Sequence, residues 1–143
     1  MNKKKSLALR FATIADLHTV VSMMREYYAY DHLRFDSRAV EKALKHLFGD
    51  ESLGRVWLIE EANHPVGYFV VTFWYSLEFH GRAAFLDELH ISAAHRGRGI
   101  GKRALAYVQD YCAANGIKAL RLEVEHENIQ AHNLYARAGF KEH

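Results

Sequence analysis

At 143 residues, half of them apolar and 13% aromatic, the chain is long enough for one domain with a sizeable core, and disorder is excluded. A net charge of +2 argues against a general nucleic-acid footprint, and no apolar run is long enough to span a membrane. Cys112 is the only cysteine, so an internal disulfide is excluded and a reducing, cytoplasmic setting is expected. It follows Val108 by four residues on a helical face, which predicts a core position rather than a nucleophile.

The lysines at 3–5 read as a solvated tail, and Arg10 interrupts the next apolar stretch too early for a signal peptide. Residues 6–11 alternate and predict a short first strand. Thr13 followed by Asp16 resembles a capping box, and Ile14, Leu17, Val20, Val21 and Met24 repeat at helical spacing up to about Tyr30. Asp36 or Ser37 starts a second helix, with Val40, Leu44 and Leu47 inward and Gly49 as the stop. Strands are predicted over 55–61, 66–75 and 83–91, with a turn at 63–65 and a connection at 76–82. A helix over 99–114 ends at Asn115 and Gly116. A strand over 117–124 and a helix over 128–138 complete the chain. This order is a mixed α/β sheet, and the unit from 83 to 124 predicts a parallel crossover.

Between the strand at 83–91 and the next helix lie Arg96, Gly97, Arg98, Gly99, Ile100, Gly101 and Lys102. Glycines let the backbone approach a ligand closely, and the amides opening a helix attract phosphate. Gly97 lies too close to Gly101-Lys102 for a P-loop, and Lys102 stands where the dinucleotide fingerprint needs its third glycine. The pattern R-x-x-G-x-G does fit, at Arg96, Gly99 and Gly101. It resembles the acyl-CoA loop of the GNAT superfamily of N-acetyltransferases. A second block, from Asn128 through Ala131 and Tyr135 to Gly139-Phe140, is similar to that family's N-x-x-A-x-x-x-Y-x-x-x-G-F element.

The resemblance implies a centrally splayed mixed sheet flanked by helices, in one domain over 1–143 with a short C-terminus. It implies acetyl-CoA as the acyl donor. The backbone of Leu89 and Ile91 would pair with the pantetheine arm. Amides over 97–102 would hold the pyrophosphate, with Ile100 at the helix start. Asn128, near Ala131, would bond the cofactor close to its thiol, and Tyr135 would act as general acid. Asn128 reads equally as an N-cap and Tyr135 as a core tyrosine.

Amine acetylation also needs a group to take the proton of the ammonium. Asp87 and Glu88 are the candidates. Alternation puts Asp87 with Leu89 and Ile91 on one face of the strand, and Glu88 with His90 on the other. In relatives with a carboxylate base on this strand, the matching position is Asp87; Glu88 is its rival, and either could instead pair with an arginine. Glu123 and Glu125 alternate with Leu122 and Val124 and form either an acidic wall for a cationic amine or a solvated strand face. Tyr27, Tyr28 and Tyr30, with Phe73, Trp74 and Tyr75, are candidates for the acceptor pocket.

The ten histidines carry no metal-ligand spacing, so no metal is expected. The expected activity is direct transfer of acetyl to a primary amine, on a small cation or on a protein. The alternatives are an acyl-CoA-binding sensor without turnover and a general nucleotide-phosphate binder. Relatives usually continue past the Gly-Phe pair with one or two more strands, whereas this sequence stops at Lys141-Glu142-His143. The strand at 117–124 is therefore expected to present an open edge, and a homodimer partner to cover it.

Overall fold

The computed structural model describes residues 6–142, so the lysines at 3–5 lie outside the described residues. In chain order the elements are β1 (Leu7–Phe11), α1 (Leu17–Tyr30), α2 (Ser37–Phe48), β2 (Gly54–Glu61), β3 (His64–Ser76), β4 (Gly81–Ile91), α3 (Ile100–Ala114), β5 (Leu120–Arg121) and α4 (Ile129–Arg137). The strands form one mixed sheet in the order β1-β2-β3-β4-β5, antiparallel except for the parallel pair β4–β5.

Both faces of the sheet are buried, and the period of two assigns the side chains. Val56, Leu58, Tyr68 and Val70 point to one side and pack against Val20, Val21 and Met24 of α1 and Leu44 of α2. Trp57, Ile59, Phe69 and Val71 point to the other side and pack against Ile100, Ala104, Leu105 and Val108 of α3, with Cys112 in the same core as expected. Each fully buried apolar side chain of this size stabilises the fold by about 1.5–3 kcal/mol. The capping box forms as read: Asp16 accepts from the Thr13 N–H at 2.9 Å, and a 3-10 turn over Ile14–Asp16 leads into α1. Asp36 caps α2 through the Ala39 N–H at 3.2 Å.

Four local expectations need correction. Ile14 faces solvent rather than the core, because it lies in the 3-10 turn before α1 begins. The turn between β2 and β3 is Ala62-Asn63, not 63–65. Both residues have positive φ, 51° and 66°, and Glu61 pairs directly with His64. Two left-handed residues match the twist of a tight hairpin, and Asn tolerates that region well. Pro65 is then inside β3, beside an irregularity in the β2–β3 register where a missing N–H is tolerated.

The predicted strand over 117–124 pairs only at Leu120 and Arg121, opposite Ala84 and Phe85. Beyond Phe85 the two strands part, which is the splay expected of the sheet. Glu123 and Glu125 are thus exposed on irregular chain rather than on a strand face.

The fourth correction concerns β4 itself. Val70 pairs with Glu88 but its neighbour Val71 pairs with Leu86, so Asp87 is an extra residue, a β-bulge. A bulge shifts the alternation by one. Leu86 and Leu89 consequently share the α3 face, and Asp87 leaves it.

Candidate active site

The open edge of β4 follows from its hydrogen bonding. Ser92 N–H donates to the Val66 carbonyl at 2.8 Å, so alternation along the antiparallel pair turns the backbone groups of Ile91 and Leu89 away from β3. They face the gap left by β5. In this structure Arg96 Nε donates to the Ile91 carbonyl at 2.8 Å, and its guanidinium lies 4.2 Å from the centre of the Tyr30 ring.

Beyond β4, Gly97 and Gly99 hold φ of 75° and 79°, which a side chain adopts only with strain. A Cβ at either would meet nothing within 4 Å, so the loop presents bare backbone to open space. Gly99 is the N-cap of α3 and supplies no side-chain cap. The first-turn amides of Ile100, Gly101 and Lys102 have no intrahelical partner, which is the situation that attracts an anion. Gly101 brings α3 close to α4: its Cβ would stand 3.4 Å from Leu134 Cδ2.

The cations after Arg96 divide in two. Arg98 is held by Glu61 of β2 at 2.8 and 3.0 Å, where the carboxylate is only 7% exposed. This contact fastens the loop to the sheet, and the sequence offered no sign of it. Lys102 and Arg103 are exposed on the first turn of α3.

On the α1–α2 side of β4, Asp87 and Glu88 border one cavity of about 220 Å³. Met24 and Tyr28 of α1, Val40, Ala43, Leu44 and Leu47 of α2, and Val70 of β3 complete its wall. Both oxygens of Glu88 accept phenol hydrogen bonds, Oε2 from Tyr28 at 2.9 Å and Oε1 from Tyr68 at 2.6 Å. Burial raises the Glu88 pKa and these two bonds oppose it. Burial, and then the neighbouring Glu123 charge, raise the Asp87 pKa. The two carboxylates thus meet in one place, where straight alternation had separated them.

Tyr28 is the tyrosine that reaches the cavity. Tyr27 packs instead against the rings of Tyr28, Tyr68 and His90, at centroid separations of 5.6, 6.4 and 5.8 Å. His90 is 3% exposed, its Nε2 has no partner, and burial with the Arg96 charge lowers its pKa to about 4. It is therefore neutral near pH 7. Phe73, Trp74 and Tyr75 pair with Ala84, Ala83 and Arg82, beyond the cavity, and Tyr75 is 70% exposed.

Asn128 is the N-cap of α4: its Oδ1 accepts from the Ala131 N–H at 3.0 Å. Tyr135 is half-buried on α4, its ring 5.9 Å from that of Phe140. Burial and the Asp31 charge raise its pKa, so the phenol keeps its proton at neutral pH.

An open strand edge, a bare glycine loop and a carboxylate-lined cavity are thus all carried on or next to β4, where it parts from β5. The acetyltransferase (GNAT) family profile matches residues 17–140, and the chain belongs to that family of N-acetyltransferases. The N-acetyltransferase YhfO of Bacillus subtilis is 28% identical over 135 residues, covering 94% of this chain and 89% of that protein. The thialysine N-epsilon-acetyltransferase of Bos taurus is 28% identical over 140 residues, covering 92% and 82%. Among solved structures, an integron cassette protein from the mobile metagenome of Cole Harbour Salt Marsh superposes with a TM-score of 0.84. It is 36% identical, and the match covers 94% of this chain and 83% of that one.

Proposed function

We propose that this acetyltransferase moves the acetyl group of acetyl-CoA directly onto a primary amine. The observation that carries the reading is the bulge at Asp87. It turns two carboxylates into one cavity at the point where β4 loses its neighbour. The residues present suit acetyl-CoA. Open amides at the start of α3 suit its pyrophosphate, and the edge of β4 suits its pantetheine arm, at Leu89 directly and at Ile91 once Arg96 Nε gives up the Ile91 carbonyl.

The two acids have different surroundings and so take different roles. Glu88, held by two phenols, is a fixed anion that receives the ammonium. Hydrogen bonds to the charged form weaken a base. Asp87 is engaged by no such phenol among the described residues, so its carboxylate is open to accept the proton, directly or through a water. Asp87 first takes one proton from the ammonium and passes it to solvent, which frees the nitrogen lone pair. The neutral amine then attacks the thioester carbonyl, the N–C bond forms and the C–S bond breaks; Tyr135 gives its proton to the departing sulfur, and the second proton, lost by the new amide nitrogen, returns to the phenol through solvent. The N–H of Leu89, on the open edge, is the donor for the developing oxyanion.

Asn128 caps α4 and thereby fixes where Tyr135 stands. The thialysine enzyme is a relative whose name carries an amine acceptor, which agrees with this reading. The same reading keeps a cytoplasmic setting, and a homodimer across the outer edge of β5, a strand of two paired residues. The test is release of free thiol from acetyl-CoA by the purified protein with a panel of primary amines. Amine-dependent release is expected; binding of acetyl-CoA without release for any amine would leave only a sensor.

A further inference from the structure

The cavity beside the carboxylates specifies what the amine is attached to. We infer that the acceptor is a small primary amine on an uncharged apolar stem, an alkylamine or arylalkylamine, whose ammonium meets Asp87 and Glu88 while its carbons lie between α1, α2 and β3. This rests on the amine-acetylation reading and deepens it.

Three observations on the wall carry the inference. First, both charged residues in the lining are acids, and they lie together on β4; among the described residues no lysine, arginine or histidine borders the space. A lone ammonium is matched at that end. Second, the rest of the wall is Met24, Val40, Ala43, Leu44, Leu47 and Val70, with the phenol of Tyr28 already turned to Glu88. A second ammonium a few carbons along would face hydrocarbon with no partner, which is costly. Each buried methylene, by contrast, strengthens binding by about fourfold. Third, about 220 Å³ is smaller than the roughly 300–1,000 Å³ of pockets that hold drug-sized ligands. Only a short stem lies wholly inside it.

The experiment compares butylamine and 2-phenylethylamine with 1,4-diaminobutane, in thiol release from acetyl-CoA and in shifts of a labelled Met24 methyl. The monoamines should exceed the diamine in kcat/KM by tenfold or more and should move the Met24 signal. Val40→Asp, at a half-buried wall position, should reverse the ratio. A diamine or an aminoglycoside used as well as butylamine by the unaltered protein would overturn the inference. So would a Met24 signal indifferent to every amine. Movement of Met24 without thiol release would uphold the apolar stem and defeat the transfer reading instead.

Discussion

Tyr68 Oη lies 2.6 Å from Glu88 Oε1, across the adjacent strands β3 and β4. The tyrosine is fully buried, so its hydroxyl has been taken out of water to hold this one carboxylate. With Tyr28 on the other oxygen, Glu88 is held in place, and both bonds favour its charged form against the burial that raises its pKa.

Tyr68→Phe removes one of these donors, and the Glu88 pKa rises further. A hydrogen bond to a charged group contributes about 1.5–3 kcal/mol, so the rise should be about one unit or more. A protonated Glu88 no longer attracts an ammonium. KM for the amine should therefore climb at a higher pH than in the unaltered protein, while kcat above that range changes little. A series of KM measurements from pH 5 to 8 decides this; a kcat loss at constant KM would assign Tyr68 another role.

Asp87→Asn should lower kcat by about 10²–10⁴, the usual share of a positioned base. Its effect on stability has the opposite sign. The folded-state pKa of Asp87 is raised, so the stability it contributes is complete below its unfolded pKa and is lost as pH rises through its folded pKa. Asparagine has no such loss. The Tm of the unaltered protein should fall, relative to the variant, as pH rises through the acid range, and the variant should be at least as stable at pH 7. A variant less stable at pH 7 than at pH 4, relative to the parent, would contradict the burial argument.

Tyr135→Phe should slow thiol release by about 10²-fold or more, within the range for general acids, and leave the Kd for CoA nearly unchanged. Tyr135 is half-buried beside Phe140, and phenylalanine keeps that contact. If affinity and turnover fall together, the residue belongs to the scaffold of α4.

The Arg98–Glu61 pair should respond unequally to its two deletions. Arg98→Ala strands a carboxylate that is 7% exposed, and leaving a buried charge without its partner is destabilising. Glu61→Ala strands a guanidinium whose side chain is 43% exposed and can turn to water, so its cost should be smaller. Urea titrations of the two variants supply the comparison, and equal losses would mean that the contact is not what fastens the loop.

Much of this was legible beforehand, for reasons visible in single residues. Thr13 and Asp16, or Gly99 and Gly101, act on chain within a turn of themselves, so their spacing reveals their role. Val40, Leu44 and Leu47 were equally clear as a helix face, but periodicity cannot tell a core face from the wall of a cavity. Asp87 shows the main limit. A bulge is a mismatch between two strands, and no pattern within β4 records that Val70 and Val71 skip a residue. For the same reason Tyr68 and Glu61 carried no signal: each acts on a side chain that only the pairing of strands, or the fold of the loop, brings within reach. The strand at 117–124 kept its alternation, Leu122 and Val124 half-buried and Glu123 and Glu125 exposed, although the splay left most of it unpaired.

The central claim is that the amides after residue 96 and the free edge of β4 receive CoA. Calorimetric titration of the protein with acetyl-CoA tests it most directly, with Gly99→Ala as the comparison because alanine strains the left-handed turn that opens α3. The account predicts saturable heat at one molecule per chain, weakened in the variant. A flat trace with the folded, unaltered protein would contradict it.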